Sequence, residues 1–341
     1  MTLTSPELSE LVARDAARHR VLTGDRPTGP LHLGHYFGTL QNRVRLQRAG
    51  VEVFVIIPDY QVLTDRDVAE RLEEHVLGLV ADYLAVGIDP ATATVFTHSA
   101  VPALNQLFLP FLSLVSVPEL SRNPTVKDEI RHSRQDAVSG LMFTYPVHQA
   151  ADILFCKADL VPVGRDQVPH LEVTRTVARR FNERYGEVFP VPECLLSDAP
   201  LLLGTDGQKM SKSRGNAIAL SASADDIARL VKRAKTDADR HIAYAPETRP
   251  EVSNLVLLAA LAQGRTPQEV AAEIGDRGAA ELKRVVTESV DAFLRPIRER
   301  RAEFAADPGQ LRAVLAAGNA RANEIADATL AEVRTAMAMS Y

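Results

Sequence analysis

The chain has 341 residues, 46% of them apolar, which is enough core for one large or two medium domains. A formal net charge of −5 gives no bulk support for nucleic-acid binding, so any such surface is local and no DNA partner is expected. No run of about 18 apolar residues exists, so no membrane partner is expected. The first residues, with Glu7, Glu10, Arg14 and Asp15, lack a signal-peptide core. Cys156 and Cys194 stand without metal-ligand spacing, so a reduced, cytoplasmic protein is expected.

Arg20–Thr23 reads as a short strand, followed by a glycine-containing loop and a helix over 34–49. Val51–Ile57 is nearly all apolar and is expected to be a strand buried on both faces. A long amphipathic helix is predicted over 65–86, a strand over 94–97, a helix over 145–156 and a strand over 159–163. A further helix is expected to run to about 185. Alternating strand and helix predict an α/β fold: a doubly wound, Rossmann-like parallel sheet that binds ligands at its carboxyl strand ends. From Ala224 onward the pattern is helical, with breaks near 244–250 and 264–267. The expected division is a catalytic domain over 1–213, a helical domain over 214–305, and a last helix, over about 306–341, that packs back on the sheet.

Two short stretches carry the chemistry. The first is Thr28-Gly29-Pro30-Leu31-His32-Leu33-Gly34-His35; the second is Lys209-Met210-Ser211-Lys212-Ser213. Attack on the α phosphate of ATP builds negative charge on phosphate oxygens and on departing pyrophosphate, so positioning and charge stabilisation do most of the catalytic work. Glycines let backbone approach a nucleotide, and a helix opening at Gly34 and His35 directs N–H groups at phosphates. Lys209 and Lys212 supply mobile positive charge on a loop flanked by Gly204, Gly207 and Gly215.

Asp152 sits in an apolar segment, where a carboxylate needs hydrogen bonds. Two readings stand: a core aspartate satisfied by backbone, or an acceptor for a substrate donor, with Tyr145, Gln149 and Gln167 completing a polar pocket. Arg229, Lys232, Arg233 and Lys235, and then Arg295, Arg298, Arg300 and Arg301, are either solvated helix faces or phosphate contacts for RNA.

The ordered pair HLGH and KMSKS resembles the signatures of class I aminoacyl-tRNA synthetases. The stretches 83–90, 144–154, 161–167, 180–186 and 294–297 are similar to the tryptophanyl-tRNA synthetase family. That resemblance implies that ATP, with Mg2+ on its phosphates, and L-tryptophan form an adenylate, and that tryptophan then passes to tRNA(Trp). It implies a homodimer and an anticodon-reading helical domain. It makes His32, His35, Lys209, Lys212 and Lys127 catalytic. Arg26, Pro27, Thr28, Gly34, Gly164, Arg165, Asp166, Met210, Ser211 and Ser213 join His35 and the two lysines around ATP. Asp152 accepts the indole N–H, Tyr145 and Gln167 hold the ammonium, and Gly24, Gln61 and Gln149 border the amino acid. Arg26, Gln61 and Gln149 depart from the common bacterial pattern of glutamine, histidine and methionine. The last two, which would line the amino-acid pocket, point either to a housekeeping enzyme or to an auxiliary copy with an altered indole pocket. Three rivals are kept: a tyrosyl-tRNA synthetase, a nucleotidyltransferase that ignores tRNA, and a non-catalytic regulatory paralogue.

Overall fold

The computed structural model describes residues 2–3, 15–64, 70–124, 126–127, 138–163, 168–196 and 202–341. Six parallel strands form one sheet: β1 (Thr2–Leu3), β2 (Arg20–Gly24), β3 (Glu52–Ile57), β4 (Ala93–Thr97), β5 (Leu160–Val163) and β6 (Glu193–Leu196). Their order is β1-β6-β5-β2-β3-β4. The order reverses between β2 and β5, and a crevice at such a switch point is where ligands bind in open α/β sheets.

Successive side chains of a strand face opposite ways. Val53, Val55 and Ile57 therefore enter one apolar cluster, while Phe54 and Ile56 enter another. The first cluster takes in α3 (Leu72–Val86) and continues into α8 (Ala224–Lys232), α9 (Pro250–Gln263), α10 (Pro267–Ile274) and α11 (Gly278–Ala305). The second is closed by α4 (Pro102–Leu112), α6 (Gly140–Leu154), α7 (Val168–Tyr185) and α12 (Pro308–Ala336). A short α5 (Val117–Arg122) joins α4 to the segment before α6.

Helix α12 covers the sheet edge at β4. A Cβ on Gly318 would lie 1.8 Å from the Val95 carbonyl oxygen, so only glycine permits this approach. Asn319 Oδ1 accepts the Thr97 amide at 3.0 Å, satisfying a donor that an open edge leaves bare.

Local boundaries differ from the expectations where side-chain or tertiary contacts decide them. The predicted helix over 34–49 is continuous but composite: α1 (Leu33–His35), a π-helical turn (Tyr36–Leu40), then α2 (Gln41–Arg48). Phe293 of α11 packs on Phe37 and Tyr36 in that turn, with ring centroids 5.3 and 5.0 Å away. Helix α6 starts earlier than predicted because the Ser139 side chain accepts the Met142 amide and caps it. The described part of the helix predicted over 65–86 starts at Leu72, and residues 65–69 lie outside the described residues. Among the described residues no helix is long and apolar enough to cross a membrane. Both cysteines are buried thiols, and burial pushes Cys156 up to about 12, which keeps it unreactive.

Candidate active site

The two signature stretches meet through backbone. The Leu33 amide donates to Ile218 at 3.0 Å and the Leu220 amide to Leu31 at 2.9 Å, so the segment after the lysine loop lies along the histidine stretch. Lys212 Nζ then donates to the Gly29 carbonyl at 2.7 Å. Gly29 has φ +121°, which favours glycine, and its turn carries the lysine across the crevice. Asn216 holds the loop from below. Its Oδ1 accepts the Ser211 amide at 2.8 Å, and its Nδ2 donates to Asp206 and to the Lys209 carbonyl. A Cβ on Gly204 would strike Asn216 at 2.3 Å. Met210 is buried under the loop, and Lys209 lies at the surface.

His32 and His35 stand with ring centroids 3.8 Å apart. Burial, with the nearby His35 and Lys212, holds His32 down to about 3. Burial also dominates for His35 and outweighs the pull of Asp25, leaving it at about 4. Both rings are neutral near pH 7. His35 Nδ1 accepts the His32 amide at 3.2 Å, so a neutral His35 keeps its proton on Nε2 as a donor. His32 Nδ1 is buried with no hydrogen-bond partner among the described residues.

Two buried carboxylates brace this loop. Asp25 receives Arg43 at 2.5 Å and the Tyr83 hydroxyl at 2.9 Å. Burial opposes its charge, but Arg43 and His35 outweigh burial, and its pKa falls to about 2. Asp82 accepts the Leu31 amide at 2.9 Å and Arg301 Nε at 2.5 Å. Gly24, at the end of β2, allows no side chain, since a Cβ would lie 2.1 Å from the Ile56 carbonyl oxygen. Pro27 is buried, Thr28 half-buried and Arg26 exposed on the turn that follows.

Beside this crevice the carboxyl ends of β3 and β4 and one face of α6 form a polar pocket. Asp59 closes β3 and accepts the Ser99 amide at 3.1 Å, tying the two strand ends together. His98 follows β4 directly and is 0% exposed; Asp152 of α6 is 2% exposed. His98 Nε2 lies 2.6 Å from Asp152 Oδ1, at an approach too oblique for a hydrogen bond. His148, one helical turn before Asp152, has its ring centroid 4.5 Å from that of His98. Burial pushes the His148 pKa down. The Tyr145 hydroxyl meets His170 Nε2 at 2.8 Å. Gln61, shortly after β3, and Gln149, within α6, are half-buried. Lys127 is exposed beyond Asn123, whose carbonyl accepts its amide at 3.1 Å. Gly164, Arg165, Asp166 and Gln167 lie outside the described residues, as does the side chain of Ser213.

A model described as "tRNA synthetases class I (W and Y)" matches residues 14–295. The tryptophan–tRNA ligase of Treponema pallidum (strain Nichols) is 45% identical over 330 residues, 94% of this chain and 97% of the relative. The chain belongs to the tryptophan–tRNA ligase family. Another relative in this family, from Clostridium longisporum, is 41% identical over 336 residues, covering 95% of this chain and 98% of its own. The crystal structure of tryptophanyl-tRNA synthetase from Campylobacter jejuni, complexed with ADP and tryptophan, superposes with a TM-score of 0.82. It is 29% identical and covers 94% of this chain and 99% of its own.

Within this tryptophan–tRNA ligase fold, sequence reasoning missed His98, His148, His170, Asn105 and Asn216. One signal was available: His148 and Asp152 stand four apart, the spacing of one helix face. His98 carried none beyond its place at a strand's carboxyl end. The second basic stretch is largely tied to acceptors within the chain, with Arg295 and Arg300 exposed and Arg298 and Arg301 partly buried. Arg298 binds Asp291 and the Ala222 carbonyl, Arg300 the Ala85 carbonyl, and Arg301 the buried Asp82.

Proposed function

We propose that this protein activates L-tryptophan with ATP and passes it to tRNA(Trp). The observation that carries the proposal is the meeting of Lys212 with the Gly29 turn, beside two neutral histidines and next to the buried Asp152 pocket. A carboxylate oxygen of the amino acid attacks the α phosphorus, the bond to the β-phosphate oxygen breaks, and pyrophosphate leaves. A ribose hydroxyl of the tRNA end then attacks the resulting mixed anhydride and AMP departs.

Neutral His32 and His35 donate N–H bonds without competing as charges. The buried His32 Nδ1 fits a nucleotide that brings a partner to it. Lys209 and Lys212 offset charge that grows as pyrophosphate leaves. The only buried His/carboxylate cluster of metal-ligand type among the described residues is in the neighbouring pocket. Mg2+ would therefore arrive on the phosphates, held by phosphate oxygens rather than by a carboxylate cage, and would supply charge neutralisation there. Asp152 accepts the indole N–H, and Tyr145, oriented by His170, helps to hold the ammonium with Gln167. Arg26, Pro27, Thr28, Gly164, Arg165, Asp166 and the lysine loop surround the nucleotide, with Lys127 reaching toward its phosphates.

The 1–213 and 306–341 segments act as the catalytic domain, and 214–305 reads the anticodon. A homodimer is supported by Leu109 and Val117, apolar yet 73% and 66% exposed on neighbouring helices α4 and α5. Gln61 and Gln149, where histidine and methionine are usual, fit either a housekeeping enzyme or an auxiliary one with an altered indole pocket. Charging of a tRNA(Trp) transcript with radiolabelled tryptophan tests the reading. The expected result is stable tryptophanyl-tRNA that requires ATP. Adenylate formation with no transfer to tRNA would instead support a stand-alone nucleotidyltransferase.

A further inference from the structure

His98, His148 and Asp152 bring three ligand-type atoms within 4.8 Å of one another, all buried. Their hydrogen bonding is incomplete. His98 Nδ1 and Nε2, His148 Nδ1 and Asp152 Oδ1 have no hydrogen-bond partner among the described residues. Buried polar atoms are nearly always hydrogen bonded, so this cluster, in which His98 Nε2 and Asp152 Oδ1 only touch one another at 2.6 Å, needs a cause.

The protonation pattern is constrained by Asn105. Its Nδ2 donates to the His98 carbonyl at 2.7 Å and to the Val101 carbonyl at 3.0 Å, which fixes the orientation of the amide. Its Oδ1 is therefore the atom 2.8 Å from His148 Nε2, and that nitrogen must carry the proton. Neutral His148 then has a lone pair on Nδ1, which has no hydrogen-bond partner among the described residues. His98 makes no hydrogen bond from either ring nitrogen among the described residues, and its Nε2 lies 2.6 Å from Asp152 Oδ1. Asp152 Oδ1 adds a carboxylate oxygen. Two imidazoles and a carboxylate thus converge in a buried cluster whose hydrogen bonding is incomplete.

We propose that His98, His148 and Asp152 form a binding site for a first-row divalent cation of the Zn2+ class, in the buried cluster between the carboxyl end of β4 and α6. Two imidazoles and one carboxylate are a donor set that Zn2+ and its neighbours favour, with a fourth position left for water or another ligand. Bonds of about 2.1 Å in tetrahedral array place ligand atoms about 3.4 Å apart. The present spacing, 2.6 Å between His98 and Asp152 and within 4.8 Å for every pair, is of that order. Asn105 behind His148 plays the part of an outer partner that fixes a ligating ring. Asp152 serves both the cation and, on the function proposed above, the indole N–H. Cation and tryptophan should therefore exclude one another.

The test is a Co2+ titration of the chelator-stripped full-length protein without nucleotide, followed by visible absorption. The expected result is d–d bands that saturate near about one equivalent and vanish when Zn2+ is added. His98→Gln and His148→Gln, each checked for fold by circular dichroism, should weaken binding at least about tenfold. Asn105→Ala, which keeps all three ligands, should weaken it about 10- to 100-fold. No bands, or equal bands in both histidine variants, would contradict the site. Only the tryptophan arm rests on the proposed function. If both histidines prove necessary but tryptophan leaves the bands unchanged, the cation site stands and the indole role of Asp152 falls. If tryptophan binds through Asp152 and Co2+ does not bind, the cation site alone is refuted.

Discussion

Lys212 Nζ donates to the Gly29 carbonyl at 2.7 Å, joining positions 183 apart in the chain. The bond sets the lysine near His32 and His35. It also partly buries the ammonium. Burial lowers the Lys212 pKa, Asp25 and Asp82 oppose that, and Arg26 adds to it. A positive charge held this way is available to a leaving pyrophosphate once the carbonyl releases it.

Lys212→Ala should therefore slow adenylate formation at least about a hundredfold, the scale of one lost transition-state donor. Tryptophan affinity should be nearly unchanged, because the charge that Lys212 meets develops only as the reaction proceeds. Rapid-quench single turnover, alongside calorimetry, separates the two. A normal activation rate would remove the loop from catalysis.

Asp152→Ala should cost tryptophan affinity. A hydrogen bond to a charged acceptor is worth roughly 1.5–3 kcal/mol, so the dissociation constant should rise by about one to two decades. Calorimetry on the folded variant checks this, and an unchanged constant would make Asp152 a structural residue paired with His98.

The histidines predict a pH effect on stability. Unfolded, each protonates near 6.5; folded, His32 and His35 stay neutral until about 3 and about 4. Below pH 6.5 the unfolded chain binds more protons, so stability falls as pH drops toward 4. The slope is at most about 1.4 kcal/mol per unit for each ring. Asp25 acts in a lower window: its contribution is present above 3.8 and is lost as pH falls through about 2. Urea melts from pH 7 to 4 should show a shallower decline in a His32→Asn/His35→Asn variant. Parallel curves for the two proteins would contradict the assignment.

Arg301→Ala leaves the buried Asp82 carboxylate without its guanidinium and loosens the Leu31 amide it holds. Breaking such a pair by removing one partner costs about 3–5 kcal/mol, and the partial exposure of Arg301 places the expected loss near the lower end. Chemical denaturation measures it. A loss under about 1 kcal/mol, the scale of a surface ion pair, would show that Asp82 is carried by its backbone bond alone.

On the proposed function, Gln61 and Gln149 line the amino-acid pocket with amides that both donate and accept. This protein should activate some ring-substituted tryptophans better, relative to tryptophan, than its Gln61→His/Gln149→Met variant does. A shift of about 1 kcal/mol changes the ratio several-fold. Identical discrimination across a panel of substituted tryptophans would free the glutamines from any role in choosing the substrate.

Much of this site was legible before the fold was. The alternation of β3, with Val53 and Val55 on one face and Phe54 on the other, is a strand buried on both sides, and its apolar run says so. The signature stretches named His32, His35 and Lys212 because the chemistry demands donors and mobile charge near glycine turns. What escaped depends on contacts between distant segments. Asn216 matters only because Gly204 leaves room for it. His98 meets Asp152 only once β4 and α6 are packed together. The π turn over Tyr36–Leu40 packs against Phe293, and nothing local foretells it. Arg300 and Arg301 looked like part of a charge run because their acceptors, the Ala85 carbonyl and Asp82, lie on another helix.

The most direct test of the central claim is amino-acid-dependent exchange of labelled pyrophosphate into ATP, with tryptophan and tyrosine compared on one preparation. Fast exchange with tryptophan, exchange with tyrosine lower by orders of magnitude, and none without an amino acid are the results predicted here. Equal exchange with both amino acids, or none with tryptophan, would contradict the account.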